Sequence, residues 1–216
     1  VIEAVVFDLG ETLVDETGAW GRWADHLGVP RLTFFAVLGS IIARGGSHRE
    51  VFERFRPGID LAAESDRMGV AGASDFLSLG DLYPDALEAL RQVVGAGYRV
   101  GLAGNQPAPA AGVLRQLDVP LDIVGTSEAW GVLKPDPRFF DRIAEQLVLP
   151  AASVAYVGDR LDNDIRPARV AGMAAIWIRR GPWAWIQGGR GRPHEATAVV
   201  DSLLELPRAL AALSGG

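Results

Sequence analysis

Six short apolar runs, at residues 2–7, 98–103, 121–125, 154–157, 174–178 and 197–200, alternate with stretches of helical spacing such as 84–94, 137–147 and 203–213. The first run is rich in β-branched residues, and all are mostly apolar and too short for a helix, so each predicts a buried strand. Connections long enough to hold a helix join parallel strands, with the helices covering the sheet. The predicted fold class is therefore α/β with a parallel sheet.

The alternation is interrupted once. Residues 16–79 keep helical periodicity without a convincing strand and are broken at Gly45-Gly46 and Pro57-Gly58. At 216 residues the chain suits one core, residues 1–15 and 80–216, carrying an inserted helical lobe at 16–79 rather than two large domains. Trp20, Trp23, Phe34, Phe35, Phe52 and Phe55 recur there at helical spacing, which predicts a core for the lobe and not a ligand cage. Arg22, Arg44, Arg49 and His48 are candidate substrate contacts in the lobe, with solvated helix faces the favoured account of each. The Gly-rich stretch from Gly188 to Pro193 predicts an exposed loop.

Composition removes whole classes of chemistry. The net charge is −6 and the 21 basic residues are scattered, which argues against a nucleic-acid partner. The absence of cysteine excludes disulfides, thiolate nucleophiles, Fe–S clusters and Cys-ligated zinc. His26, His48 and His194 are too far apart in sequence to suggest a His-rich metal site. No apolar run approaches a membrane span, and the first strand leads into a charged turn rather than a cleavable leader, so a cytoplasmic protein is expected. Of the 21 basic residues only Lys134 is a lysine, a compact point charge on a slim stem where every other position carries guanidinium.

Ligands of open parallel sheets gather at the carboxyl ends of strands, so the polar residues following each run carry the functional signal. Asp8, Gly10, Glu11 and Thr12 follow the first run; Gly104, Asn105 and Gln106 follow the second; Lys134 precedes the helix at 137–147; Gly158, Asp159, Asp162, Asn163 and Asp164 follow the fourth. Carboxylates gathered at one spot repel each other unless a cation joins them, and a hard divalent ion with oxygen ligands is the usual partner. Magnesium and Lys134 would meet that need and would also neutralise a phosphoryl group, leaving Asp8 to attack phosphorus.

The segments Phe7-Asp8-Leu9-Gly10-Glu11-Thr12-Leu13, Gly104-Asn105, Leu133-Lys134-Pro135-Asp136-Pro137 and Val157-Gly158-Asp159-Arg160-Leu161-Asp162-Asn163-Asp164 together resemble the haloacid dehalogenase superfamily, in order and spacing over nearly the whole chain. The resemblance implies a Rossmann-like core with a small helical cap. It implies Asp8 as nucleophile and a magnesium ion held by Asp8, Asp159 and the backbone carbonyl of Gly10, with Asp164 ligating or just behind. Lys134 would pair with Asp8 and the phosphoryl oxygens, and Gly104, Asn105 and Gln106 would bind substrate phosphate. The implied activity is hydrolysis of a small phosphorylated metabolite through an aspartyl-phosphate intermediate.

Two positions depart from the family pattern. Most phosphatases of the superfamily carry a second aspartate two residues after the nucleophile as acid/base, and here it is Gly10. Glu11 is the candidate replacement if the turn bends inward. Gly104 stands where a serine or threonine hydroxyl usually meets the phosphoryl group. These losses leave open a protein of weakened activity, or one that binds a phosphorylated ligand or a partner without turnover. Dehalogenation of a 2-haloacid is less favoured, because that branch replaces the Gly158-Asp159 pair. Oligomeric state is not legible.

Overall fold

Ala4–Phe7 (β1) has no exposure at any position, and its four side chains alternate between two cores. Val5 and Phe7 face one side of the sheet and Ala4 and Val6 the other, the period-two consequence of the pleat. This computed structural model describes residues 1–68, 78–188 and 194–214. The expected Gly-rich loop lies outside the described residues at 189–193, as do 69–77 of the insertion.

The remaining strands are Arg99–Gly104 (β2), Ile123–Thr126 (β3), Val154–Gly158 (β4), Ala174–Ile178 (β5) and Ala198–Val200 (β6). All pair in parallel in the order β3-β2-β1-β4-β5-β6. Strand order reverses between β1 and β4, and that reversal opens a crevice at their carboxyl ends. Asp8 and Asp159 are the residues immediately beyond those two strands.

The inserted stretch contributes Thr17–His26 (α1), Arg31–Ala43 (α2), Glu50–Phe55 (α3) and Leu61–Arg67 (α4). Their apolar residues form a third cluster around Trp23, Phe34, Leu38, Ile41 and Phe52. Trp23 meets Phe52 edge-on at 4.8 Å and Phe34 stacks on Phe55 at 5.7 Å. One residue from outside the insertion joins it, Trp183 of Gly181–Gln187 (α10). No single described helix is long and apolar enough to cross a membrane.

Helices cover both faces of the sheet: Ala86–Gly95 (α5) and Leu206–Ser214 (α11) on one, Pro137–Leu147 (α8) and Arg166–Val170 (α9) on the other. Two short helices, Ala110–Leu114 (α6) and Ser127–Trp130 (α7), follow β2 and β3. Spacing put the start of α5 at Pro84, yet the helix begins at Ala86. The preceding Asp85 accepts from Arg180, Ser202 and the Leu203 N–H, and this tertiary tie holds residues 84–85 in a turn.

Candidate active site

The first residue after β1 remains tied to β4, because the Asp8 N–H donates to the Val157 carbonyl at 2.9 Å. The chain then turns back sharply, with the Leu13 and Val14 N–H groups donating to the Leu9 carbonyl at 2.8 and 2.9 Å. Glu11 takes a φ of 54° in this turn, a left-handed conformation uncommon outside glycine. The reversal sets Gly10 opposite Val14 and brings Glu16, just before α1, back over Gly10.

Lys134 arrives from the turn between α7 and α8, and Asn105 beyond β2 clasps its backbone. Asn105 Nδ2 donates to the Lys134 carbonyl at 3.0 Å, and the Lys134 N–H donates to Asn105 Oδ1 at 2.8 Å. The lysine Nζ lies 2.6 Å from Asp8 Oδ1, 2.6 Å from Asp164 Oδ1 and 5.5 Å from the Tyr156 ring centre. Only 2% of Lys134 is exposed, so the ammonium has exchanged water for two carboxylates. Burial alone would lower its pKa, but Asp164 and Asp8 outweigh that and hold it well above the ordinary lysine value.

Asp164 belongs to a single π-helical turn, Leu161–Ile165, in which the Ile165 N–H reaches back to the Arg160 carbonyl. Such turns re-aim side chains and recur at functional sites. Asp164 Oδ2 accepts from the Arg160 N–H at 2.9 Å while Oδ1 faces the lysine. Burial raises its pKa to about 6, with Lys134 pulling down and Asp8 pushing up. Asp159 is held through its carbonyl, which accepts from Trp177 Nε1 at 2.7 Å. Its carboxyl is pushed well above the usual range by burial and by Asp164 and Asp8, and its buried Oδ2 has no hydrogen-bond partner among the described residues.

Oxygens of Asp8, Asp159 and Asp164 lie within 4.8 Å of one another. Three buried carboxyls sharing one ammonium are short of positive charge, and an unpartnered oxygen faces the deficit. A hard oxygen-binding cation such as magnesium fits that donor set. Glycines make the crowding possible: a Cβ on Gly158 would lie 2.5 Å from Asp164 Cγ, and one on Gly104 would lie 2.7 Å from Asp8 Oδ1. The glycine that removes a hydroxyl at position 104 thus makes room for the Asp8 carboxylate.

Asp8, Lys134 and Asp159 line a cavity of about 160 Å³ with Gly10, Glu11, Asn105, Gln106 and Asn163, while Asp164 and Gly104 lie behind its wall. His48, a candidate contact from the sequence, helps complete it; sequence reasoning did not assign the others, which are Glu16 and Trp20 from the inserted stretch and Arg160 and Trp183 from the core. His48, expected on a solvated face, lies edge-on to Trp20 at 5.7 Å and to Trp183 at 6.2 Å. Trp20, expected in the lobe core, contributes to both the cluster and the cavity. No local periodicity distinguishes an aromatic that faces a cleft from one that faces a core.

Glu11 lines the cavity with both carboxylate oxygens engaged: Oε1 accepts from the Glu16 N–H at 3.0 Å and Oε2 from the Tyr83 hydroxyl at 2.7 Å. Burial nonetheless raises its pKa. Glu16 is crowded by burial and by Glu11 and Asp8, which together lift its pKa to about 7.

Burial, followed by Arg160 and Arg49, pushes His48 down to about 4. The unfolded chain therefore binds this proton first, so the contribution of His48 to stability is complete above about pH 6.5 and is lost as pH falls through about 4. Denaturant unfolding at several pH values should show wild type losing on the order of 2–3 kcal/mol relative to His48→Gln between pH 7 and pH 4. A pH-independent difference between the two proteins would contradict the half-buried, neutral imidazole.

The family model for haloacid dehalogenase-like hydrolases matches residues 2–172. A glyceraldehyde 3-phosphate phosphatase of Methanopyrus kandleri is 34% identical over 136 residues, which cover 59% of this chain and 54% of that protein, so the match spans about half of that relative. A sesquiterpene phosphatase of Aspergillus oryzae is 33% identical over 82% of this chain and 89% of its own length. Among solved structures, a HAD-superfamily hydrolase of Geobacter sulfurreducens superposes with a TM-score of 0.70 at 22% identity, covering 97% of this chain and 96% of that one.

Proposed function

Because the chain belongs to the haloacid dehalogenase-like hydrolase family, we propose that it is a magnesium-dependent phosphatase of a small phosphorylated metabolite. The observation that carries this reading is the buried Lys134 ammonium, 2.6 Å from both Asp8 and Asp164, beside the unpartnered oxygen of Asp159. The names of the phosphatase relatives from Methanopyrus and Aspergillus support it.

In this reading Asp8, Asp159 and the carbonyl of Gly10 hold magnesium, with Asp164 ligating or behind them. When bound, the ion would neutralise charge on the phosphoryl oxygens. Lys134 engages Asp8 Oδ1, which orients the carboxylate and leaves its other oxygen to attack phosphorus. An aspartyl phosphate forms on Asp8 as the alcohol leaves, and water then hydrolyses it. The Asn105 amide is committed to the Lys134 backbone, so it fixes the lysine turn and leaves its own backbone N–H for the phosphate. Gly104 adds no hydroxyl, which reduces phosphate binding, and Gln106 lines the cavity nearby.

The inserted helices α1 to α4 act as a cap over the core in this reading, and a cavity of about 160 Å³ suits a small substrate. The test is hydrolysis of p-nitrophenyl phosphate with magnesium and with a chelator. Turnover is expected with the metal and not without it. Absence of turnover while magnesium still binds would put the non-hydrolytic binding protein first.

A further inference from the structure

Transfer of a phosphoryl group to Asp8 needs a proton for the departing alcohol oxygen, and position 10 offers no side chain to give it. The titratable groups around the cavity can be taken in turn. Lys134 is locked between Asp8 and Asp164, and both oxygens of Glu11 accept hydrogen bonds from the turn and from Tyr83. Arg160 is paired with Asp162 at 2.8 Å and lies over the Trp183 ring, while Asp159 and Asp164 belong to the carboxylate cluster. His48 packs edge-on between two tryptophans.

Among the described residues, one carboxyl lining the cavity is left. A Cβ built on Gly10 would lie 2.3 Å from Glu16 Oε1 and 2.7 Å from its Cδ, so the Glu16 carboxyl occupies the space that a side chain at position 10 would fill. It lines the same cavity as Asp8. Its position just before α1 would normally invite helix capping, yet the side chain makes no capping hydrogen bond. Trp20 Nε1 donates to Oε2 at 3.3 Å and holds the group, with Oε1 nearer Gly10.

We propose that Glu16, reaching in from the start of the inserted lobe, is the general acid and base of this active site. In the first step an Asp8 oxygen bonds to phosphorus, the bond from phosphorus to the ester oxygen breaks, and the Glu16 proton passes to that oxygen as the alcohol leaves. In the second step the Glu16 carboxylate takes a proton from water as its oxygen bonds to phosphorus. The acyl phosphate bond then breaks, releasing phosphate and restoring Asp8 and protonated Glu16. The inference rests on the phosphatase reading above, and it explains how a site with glycine at position 10 could still process esters whose alcohols leave poorly.

The experiment compares kcat/KM for p-nitrophenyl, phenyl and ethyl phosphate in wild type and Glu16→Gln. Loss of a general acid should lower ethyl phosphate turnover by roughly 10²–10⁴-fold, with p-nitrophenyl phosphate, whose leaving group needs little protonation, reduced far less. The double variant Gly10→Asp with Glu16→Ala clears the clash and moves the carboxyl to position 10, and it should recover ethyl phosphate turnover over Glu16→Ala alone. That comparison serves equally if Glu16→Gln does not fold. Equal losses on all three esters, or none, would overturn the assignment. So would a more than tenfold weakening of calorimetric magnesium binding in Glu16→Gln, which would make Glu16 a metal ligand instead. If wild type hydrolyses none of the esters, the phosphatase reading fails first and this inference falls with it.

Discussion

Asp8→Asn is expected to lose metal-dependent hydrolysis of p-nitrophenyl phosphate by on the order of 10⁴-fold or more, the scale seen when a covalent nucleophile is removed. The amide keeps the shape of the carboxylate, and its oxygen can still accept from Lys134 Nζ, 2.6 Å away in the native site. Removing one of three clustered acidic groups relieves repulsion as it weakens the hold on the lysine, so the variant should remain folded. The loss would then report chemistry rather than unfolding. Stopped reactions analysed by mass spectrometry should show a phosphorylated peptide containing Asp8 in wild type and none in the variant. Activity within tenfold of wild type would remove Asp8 as nucleophile and with it the proposed mechanism.

Lys134→Met should affect stability as well as activity. Methionine replaces the slim stem at similar length but leaves Asp8 and Asp164 facing each other without the ammonium that contacts both. Removing one partner of a buried ion pair typically costs about 3–5 kcal/mol, which in a chain of this size corresponds to a fall in Tm of roughly 6–20 °C. The raised pKa of Lys134 means that its contribution is present in full below the unfolded lysine value, so the deficit is fully expressed at pH 7. Asp164 already titrates near 6 in the native site. Without the lysine its proton is held more tightly still, so the deficit should shrink as pH is lowered toward 5. Thermal unfolding followed by circular dichroism at both pH values tests this, and a Tm within 2 °C of wild type at pH 7 would contradict the ion-pair account.

Much of this site could be read before any coordinates. Strand ends are legible because a parallel strand buried on both faces must be apolar throughout, so the first polar residue after it marks where the chain leaves the core. That reasoning singled out Asp8, Asn105 and Asp159, while Lys134 stood out as the one lysine, just ahead of the helix at 137–147; the structure sets Lys134 against Asp8 and Asp164 and gathers Asp8, Asp159 and Asp164. Boundaries moved where tertiary bonds intervened, as at Pro84, where Asp85 is tied to Arg180 and Ser202. Glu16 was not legible as a cavity residue, and His48 only as a candidate contact beside the favoured solvated face, because their surroundings come from segments distant in sequence. The one hint was indirect: a glycine at position 10 leaves room that something else must fill.

The sequence by itself determined the α/β architecture and the line of polar residues at its strand ends, because burial imposes apolar periodicity on every strand and helix. Tertiary structure alone decided how those residues share charge. It set Lys134 between two carboxylates, left an Asp159 oxygen without a partner and engaged both oxygens of Glu11. It also swung Glu16 into the space above Gly10. The reason is physical: apolar patterning is a property of each segment and can be read along the chain, whereas electrostatic interaction depends on distances of a few ångströms between groups that only folding brings together.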